Sequence, residues 1–511
     1  MTMGVVCAED ANQTAQDTLK VSDTQNILSD TPEKSYNDLS SEIENSTESI
    51  TLESDYKFKE TDSVKYFEFK TDYTINGNNH AIDADGKTIM FKVSKATLTL
   101  KNLILKNTND SAIEVNGGKL ITQNVTFMNT NAADYGGAIY CSGTSTINSN
   151  YDKFIDNTAP EGGSAIFGKD FSSIYVNNAT FTSKKPISWS MIYANGCFIT
   201  VKDSVFANAT SKYATAIYNT GWTTIKKSKF INLVANITAG AVAIKGGNPL
   251  KYVTLVIEDC EFINVTAARN GGAVFVDVNG DGDNCDGGVV RILDSIFDKN
   301  SAEFGGAILQ LGGTLDVSNS LIANNIAKEN GGAIYSSDAK VILSNNIFVN
   351  NKADEINGYG GAAYFDYETA TVEDCTFTDN VASEGGAIYS ESTFYLIMNS
   401  EFKNNTNDDI YTRFDSEGSS IAGCGEYTGT INDKRFNHTI RYNGEVITLN
   451  PQPISGSAKD KYFNLNDLGL VTPVKDQGSM GSCWAFGAAG AFESAFLIAT
   501  GKEIDISENN I

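Results

Sequence analysis

The sequence predicts a mainly β protein: a right-handed parallel β-helix (a solenoid), followed by a short α+β unit. Three observations carry that prediction. First, a large apolar residue with Asn two or three places on recurs at Phe127, Phe154, Phe181, Phe206, Phe230, Phe262, Phe297, Ile322, Phe348, Phe377 and Phe402. The interval is mostly 24 to 29 residues, widening to 32 and 35 around residues 262–297, and a period in that range marks a repeat architecture. Second, Gly-Gly-Ala-hydrophobic recurs in step at Gly136, Gly271, Gly305, Gly331, Gly360 and Gly385, with a variant at Gly162 and weaker forms at Ala214 and Gly240. Third, the chain holds only 7 prolines in 511 residues. The runs between its turns are short and alternate apolar with polar, which is the period of strands and not of helix pairs.

Each repeat supplies about three short strands and three turns, one coil of the helix. Stacking the coils puts the Phe residues in an internal column and the Asn residues in turn ladders. The paired glycines fit a turn that needs positive φ or close backbone approach. At ~4.8 Å per rung, about thirteen coils make a rod on the order of 60 Å.

In chain order, residues 1–8 end an apolar run at Cys7-Ala8 before Glu-Asp, which reads as the remnant of an export signal. Residues 9–56 are rich in Asp, Ser, Thr, Asn and Glu with few aromatics, the composition of a disordered lead-in. Residues 57–411 are the repeat domain. Residues 412–460 read as a connector or small β module, with strand-like runs at Thr439–Tyr442 and Glu445–Leu449, and 461–511 form the last unit.

A net charge of −25 and a pI near 4.5 argue against nucleic acid or an anionic membrane surface as partner. Eight scattered cysteines give neither a disulfide framework nor a zinc spacing. No run approaches the ~20 apolar residues of a membrane-spanning helix. Ten N-x-S/T sites (at Asn12, 45, 109, 124, 178, 208, 236, 264, 404 and 437) allow glycosylation in an exported protein, although amides buried in the repeat ladders would leave no room for a glycan.

An insertion places Asp277, Asn279, Asp281 and Asp283 at alternate positions around Gly282. Alternating oxygen donors in a tight turn suit Ca2+. However, Gly288 stands where a helix-flanked calcium loop of twelve residues needs a bidentate Glu, and the flanks read as strands. A calcium loop and a plain acidic loop both remain open. Acidic residues elsewhere fall mostly in turns, and no pair stands out as general acid and base for sugar chemistry.

The run Val471–Phe486, VTPVKDQGSMGSCWAF, carries the chemistry. Cys483 follows a glycine-containing turn and opens an Ala-rich segment, Trp484 to Thr500, that reads as a helix. A thiol at a helix N-terminus is favoured as thiolate by the dipole. Gln477, six residues earlier, offers an amide that can join the Cys483 backbone N–H around an oxyanion.

This run resembles the papain-like cysteine peptidases, down to the S-E-N-N stretch at Ser507–Asn510. The resemblance implies Cys483 as nucleophile, Gln477 in the oxyanion hole, a peptide or protein substrate and no required cofactor. Met480 replaces the cysteine that many members pair in a disulfide. The family's histidine and its Asn partner lie far downstream of the cysteine, whereas His80 and His438 both precede Cys483. The unit therefore reads as the truncated N-terminal part of an α+β peptidase domain, inert as written. The repeats resemble those of chlamydial polymorphic outer-membrane proteins, and Thr74–Lys106 resembles the opening coils of adhesin-like surface proteins of methanogenic archaea. That likeness covers residues 60–410 and implies an extracellular, cell-surface location. Two functions follow: a surface cysteine peptidase displayed on a β-helix stalk, or a non-catalytic adhesin that binds glycans or other cells.

Overall fold

The computed structural model describes residues 33–246, 253–278, 288–366, 369–391 and 394–413. Beyond these it describes short pieces at 420–424, 431–432, 440–442, 445–447, 471–472, 490–491, 493–498 and 503. From Lys34 to Asn432 strands pair in parallel with strands about one repeat further on, so the backbone winds as a β-solenoid of about 14 turns. Each turn contributes to three sheets that run the length of the solenoid. In one turn the strands are Ser173–Asn177, Thr180–Thr182 and Ile192–Ala194. They pair in register with Phe198–Lys202, Val205–Tyr213 and Ile217–Asn219 of the next. Side chains alternate as the pleat requires: Ile174 and Val176 are buried while Tyr175 between them is exposed.

The interior is the set of columns that the repeat implied. Seven rings from Phe127 to Phe297 stack with centroids 4.4 to 5.1 Å apart and planes within 6°. Ile322 interrupts the column in register, and Phe348, Phe377 and Phe402 resume it. The spacing is that of neighbouring strands, and each buried ring contributes about 1.5–3 kcal/mol of transfer energy.

Three residues after each ring, Asn300, Asn325, Asn351, Asn380 and Asn405 form a second column. Each of the first four donates its backbone N–H and its Nδ2 to the Oδ1 of the next Asn, at 2.9 to 3.1 Å. Each also returns Nδ2 to a carbonyl of the preceding turn, such as Asn325 to Phe297 at 3.0 Å and Asn380 to Phe348 at 3.1 Å. A buried amide thus spans three turns with its donors satisfied, which is why Asn and not Asp or Leu fills the column.

The glycine pairs divide two tasks. The first member, from Gly136 to Gly385, has φ between +58° and +68°. The second faces the neighbouring backbone: a Cβ on Gly332 would lie 2.0 Å from the Gly361 carbonyl oxygen and 2.6 Å from the Lys352 carbonyl carbon. In the variant turn the pattern slides by one, with Gly163 at φ +62° and Ser164 in the close-approach column.

Two boundaries differ from the expectation. Residues 33–56, expected to be disordered, are ordered as the first-turn cap. Helix Tyr36–Glu44 starts from a Ser35–Asp38 capping box and buries Tyr36 and Leu39, with the Tyr36 ring 5.3 Å from Phe67. The Asp62 carboxylate accepts from the N–H groups of Tyr36, Asn37 and Lys59. The polar residues Ser35 and Asp38, of the composition that suggested disorder, cap the helix, and Tyr36 and Leu39 are buried with Ile43 packed against the core beside them. Residues 1–32 lie outside the described residues. At the other end the solenoid runs past 411, since Ser420–Cys424 pairs with Phe394–Met398 and Ile431–Asn432 with Ile410–Tyr411. The short antiparallel pair Ile440–Tyr442 and Glu445–Ile447 follows.

The glycosylation sites also differ from the reading that placed them in buried ladders. Asn124, Asn208, Asn264 and Asn404 are exposed, at positive φ. Three of these belong to outer amide contacts, with Asn264 Nδ2 donating to Asn232, Asn232 to Asn208, and Asn124 to Asn102. Among the described residues no helix is long and apolar enough to cross a membrane.

Candidate functional site

Of the peptidase-like unit, the described residues are those that flank the motif. Residues 490–491 and 493–498 are helical, within the segment expected to follow Cys483 as a helix. Glu493 on that helix is buried, 1 % exposed, and the Thr472 hydroxyl donates to its Oε2 at 3.3 Å. The Thr472 backbone N–H donates to Ser494 Oγ at 3.4 Å, and that hydroxyl donates to the Gly490 carbonyl one helical turn back at 2.7 Å.

Thr472 precedes Gln477 by five residues and Glu493 follows Cys483 by ten. The two hydrogen bonds therefore tie the run that leads to Gln477 to the helix that follows Cys483. A buried carboxylate must be paired or hydrogen-bonded to be tolerated, so this contact fixes one segment against the other. Sequence reasoning missed Glu493. The available signal was a lone carboxylate in an apolar, Ala-rich run. Cys483 and Gln477 themselves lie outside the described residues.

The imidazoles and the other thiols belong to the solenoid or lie outside what is described. His80 sits in the first turns with Nδ1 3.0 Å from Asp55 Oδ1, which also accepts from the Ala81 N–H. His438 lies outside the described residues. Cys141, Cys197, Cys260 and Cys375 are buried and free. Cys260 and Cys375 occupy a turn column shared with Ser204, Ser228, Ser295, Ser320, Asn346 and Ser400. Each side chain here accepts a backbone N–H from the preceding turn, as in Ser320 N–H to Asn346 and Cys375 N–H to Ser400. Burial pushes the Cys197 thiol up to about 12 and those of Cys260 and Cys375 to about 11, and raises Cys141 as well. These thiols serve as hydrogen-bonding spacers and are poor nucleophiles.

Within the solenoid, one deeply buried carboxylate titrates unusually. Asp152 is pushed up to about 6 by burial, although it accepts from Ser149 Oγ at 2.6 Å, from the Val125 N–H at 2.7 Å and from the Thr122 hydroxyl. Its oxygens are occupied by the turn, so it acts as a fold residue. The folded chain binds this proton more tightly than the unfolded chain does. The contribution of Asp152 to stability therefore falls as pH rises from about 4 to about 6, by up to ~3 kcal/mol, and is level above that window. Urea unfolding of the native chain and of Asp152→Asn across pH 4–7 checks this. The difference between the two should change through that window and be constant outside it.

Of the candidate calcium residues, Asp277 ends the strand Val274–Asp277 and pairs in register with Lys245 and Leu311. Asn279, Asp281 and Asp283 lie outside the described residues. Among the described residues no group of three or more His, Cys, Asp or Glu side chains could hold a metal ion.

Comparison with known proteins agrees with this division of the chain. Residues 460–511 match the papain family of cysteine proteases, and residues 190–407 match the right-handed β-helix region family. Cysteine proteinase 15A of Pisum sativum is 55% identical over 49 residues, 10% of this chain and 14% of the relative. Mouse procathepsin L is 49% identical over 51 residues, 10% of this chain and 15% of its own length. Ananain of Ananas comosus is 30% identical over 138 residues, 25% of this chain and 39% of its length. The chain thus spans about one seventh of the first two relatives.

Among solved structures, the tailspike protein 3 of bacteriophage CBA120 aligns over 83% of this chain and 69% of its own at 11% identity, with a TM-score of 0.34. A PL6 alginate lyase in complex with a trisaccharide aligns over 82% and 91% at 13% identity, with a TM-score of 0.29. Likenesses this weak add nothing to the register described above. A papain-family peptidase segment is fused to a right-handed β-helix.

Proposed function

We propose that Cys483 is the nucleophile of a papain-type cysteine peptidase that the β-solenoid carries as a stalk on an exported, cell-surface protein. The observation that carries this reading is the family match over residues 460–511, which contains Gln477 and Cys483 in their motif. The Cys483 thiolate attacks the scissile carbonyl carbon, forming a C–S bond. The oxyanion is held by the Cys483 backbone N–H and the Gln477 amide. The C–N bond then breaks, the leaving amine takes its proton from an imidazolium, and water releases the acyl group. The imidazole is one other than His80, which is engaged with Asp55. The tie between Thr472 and Glu493 holds the two segments of the motif in relation to each other.

His80 is engaged by Asp55 and His438 precedes Cys483 where the family's histidine follows it, so these 511 residues alone are expected to give no turnover of an unstructured fluorogenic peptide. A longer chain that supplies an imidazole after Cys483 is expected to cleave the peptide. Cys483→Ala should remove that activity by about 10⁴-fold or more. Turnover that survives Cys483→Ala overturns the assignment, and so does a longer chain that has an imidazole after Cys483 and still fails to cleave.

A further inference from the structure

We propose that the outer face of the first sheet, over the turns that begin at Thr146 through Thr254, binds an uncharged polysaccharide, with exposed aromatic rings as the platform for its sugar rings. The register sets Thr146, Ser173, Phe198, Trp222 and Thr254 in one outward row and Asn148, Tyr175, Thr200, Thr224 and Val256 in the next. Phe198 is 42% exposed and Tyr175 is 45% exposed, and Phe171 and Tyr151 at the adjoining turns are 45% and 56% exposed. Such a cluster of exposed aromatic surface marks an interaction site more often than it occurs at random.

The fold does not require these rings. The same row holds Thr or Lys in the preceding turns, at Thr97 and Lys119, and Thr or Ser within the platform itself, at Thr146 and Ser173. Phe171 is held at φ +57°, a conformation in which a bulky residue is an outlier. The rings are also available, unlike those of the third sheet, where Tyr364, Tyr389 and Tyr411 cover one another in a continuous stack. Phe198 stacks on Trp222 at 4.6 Å and 6°, and its row neighbour on the other side is the small Ser173. A sugar ring placed over Ser173 would lay its C–H face against Phe198 and continue the stack.

Charge decides the class of ligand. Both rows are uncharged across five turns, in a chain that carries −25. In the third outward row, Lys202 pairs with Asp203 at 3.4 Å and Lys226 with Glu258 at 2.5 Å, so the two cations of that row are themselves neutralised. A polyanion finds no counter-charge within the two rows over these five turns, the nearest cation of the row being Lys119 one turn before Thr146, and it is repelled by the chain as a whole. A neutral polymer meets rings flanked by amides and hydroxyls, the combination that fixes an amphipathic sugar by stacking and hydrogen bonding. The site needs nothing from the peptidase segment.

The test is affinity electrophoresis of the full chain in native gels containing galactomannan, xyloglucan or a mixed-linkage β-glucan, with alginate and polygalacturonate as acidic comparators. The substitutions Phe198→Ser, Trp222→Thr and Tyr175→Thr put residues already used in these rows at the platform, so folding should survive. The expected result is retardation in at least one neutral gel and none in the acidic ones, with apparent affinity falling at least tenfold in F198S/W222T and in Y175T. Addition of the retarding polymer should also shift the tryptophan emission of the native chain to the blue, and W222T should lose that shift. This readout stands even if the double variant is unstable. Absence of retardation in every neutral gel, retention by acidic polymers alone, variants retarded like the native chain, or an emission shift that W222T retains would each overturn the proposal. A protein ligand at this face would appear as the first of these outcomes.

Discussion

Gly332→Ala is expected to cost about 4 kcal/mol or more, beyond the ~1–3 kcal/mol of ordinary core overpacking. The added methyl would stand 2.0 Å from the Gly361 carbonyl oxygen and 2.6 and 2.7 Å from backbone atoms of Lys352. Backbone cannot turn aside as a side-chain tip can. The clash recurs down the column, with Gly272 facing Gly306, Gly306 facing Gly332 and Gly361 facing Gly386, each at 2.1 Å or less. One shifted turn therefore has no slack in its neighbours. Because a solenoid is stabilised turn by turn, the loss should be local, with hydrogen-exchange protection falling around residues 326–363 while the Phe127–Phe206 turns keep theirs. Gly86→Ala is the control. Gly86, unlike Gly332, is at positive φ, +69°, and nothing lies within 4 Å of its Cβ position, so only the left-handed penalty of about 1–2 kcal/mol applies. Equal costs at the two sites would show that close approach is not what the second glycine provides.

The columns were legible in the sequence because each is a single residue type repeated at one register. Phe127 to Phe402 announced the internal stack, the Asn that follows announced the ladder, and Gly331-Gly332 announced a turn with positive φ or close approach, which the structure divides between the two glycines. What was not legible depends on single occurrences. The cap at Tyr36–Glu44 uses one helix, and its Ser35 and Asp38 look, in composition, like the polar residues of a disordered tail. The end of the solenoid was placed too early because Ser420–Cys424 and Ile431–Asn432 pair by backbone without Phe or Gly-Gly. Cys260 and Cys375 were unreadable as hydrogen-bonding members of a serine column, since nothing local to a cysteine tells its register. The outward aromatics were invisible for a similar reason. Phe198 and Trp222 become neighbours only once Ser173, Phe198 and Trp222 are aligned across turns. At the candidate site the motif residues were evident from their order, while the Thr472–Glu493 contact joins positions 21 residues apart and needed coordinates.

Cys483 is expected to be alkylated orders of magnitude faster than the solenoid thiols, because thiolate fraction falls tenfold for each unit of pKa above the ambient pH. A buried thiol at about 11, such as Cys260 or Cys375, is thiolate in about one molecule in 10⁴ at pH 7, and its burial also denies access to the reagent. The lower intrinsic nucleophilicity of a low-pKa thiol offsets only part of that gap. The most direct measurement is iodoacetamide labelling of the native 511-residue protein from pH 5 to 9, with the modified residue identified by peptide mass spectrometry. The account predicts that Cys483 labels first, with a midpoint below the ordinary ~8.5 of a free cysteine. Cys141, Cys197, Cys260 and Cys375 should stay unmodified until the protein is unfolded. A Cys483 midpoint at or above that value, or solenoid thiols that label at the same rate, would contradict it.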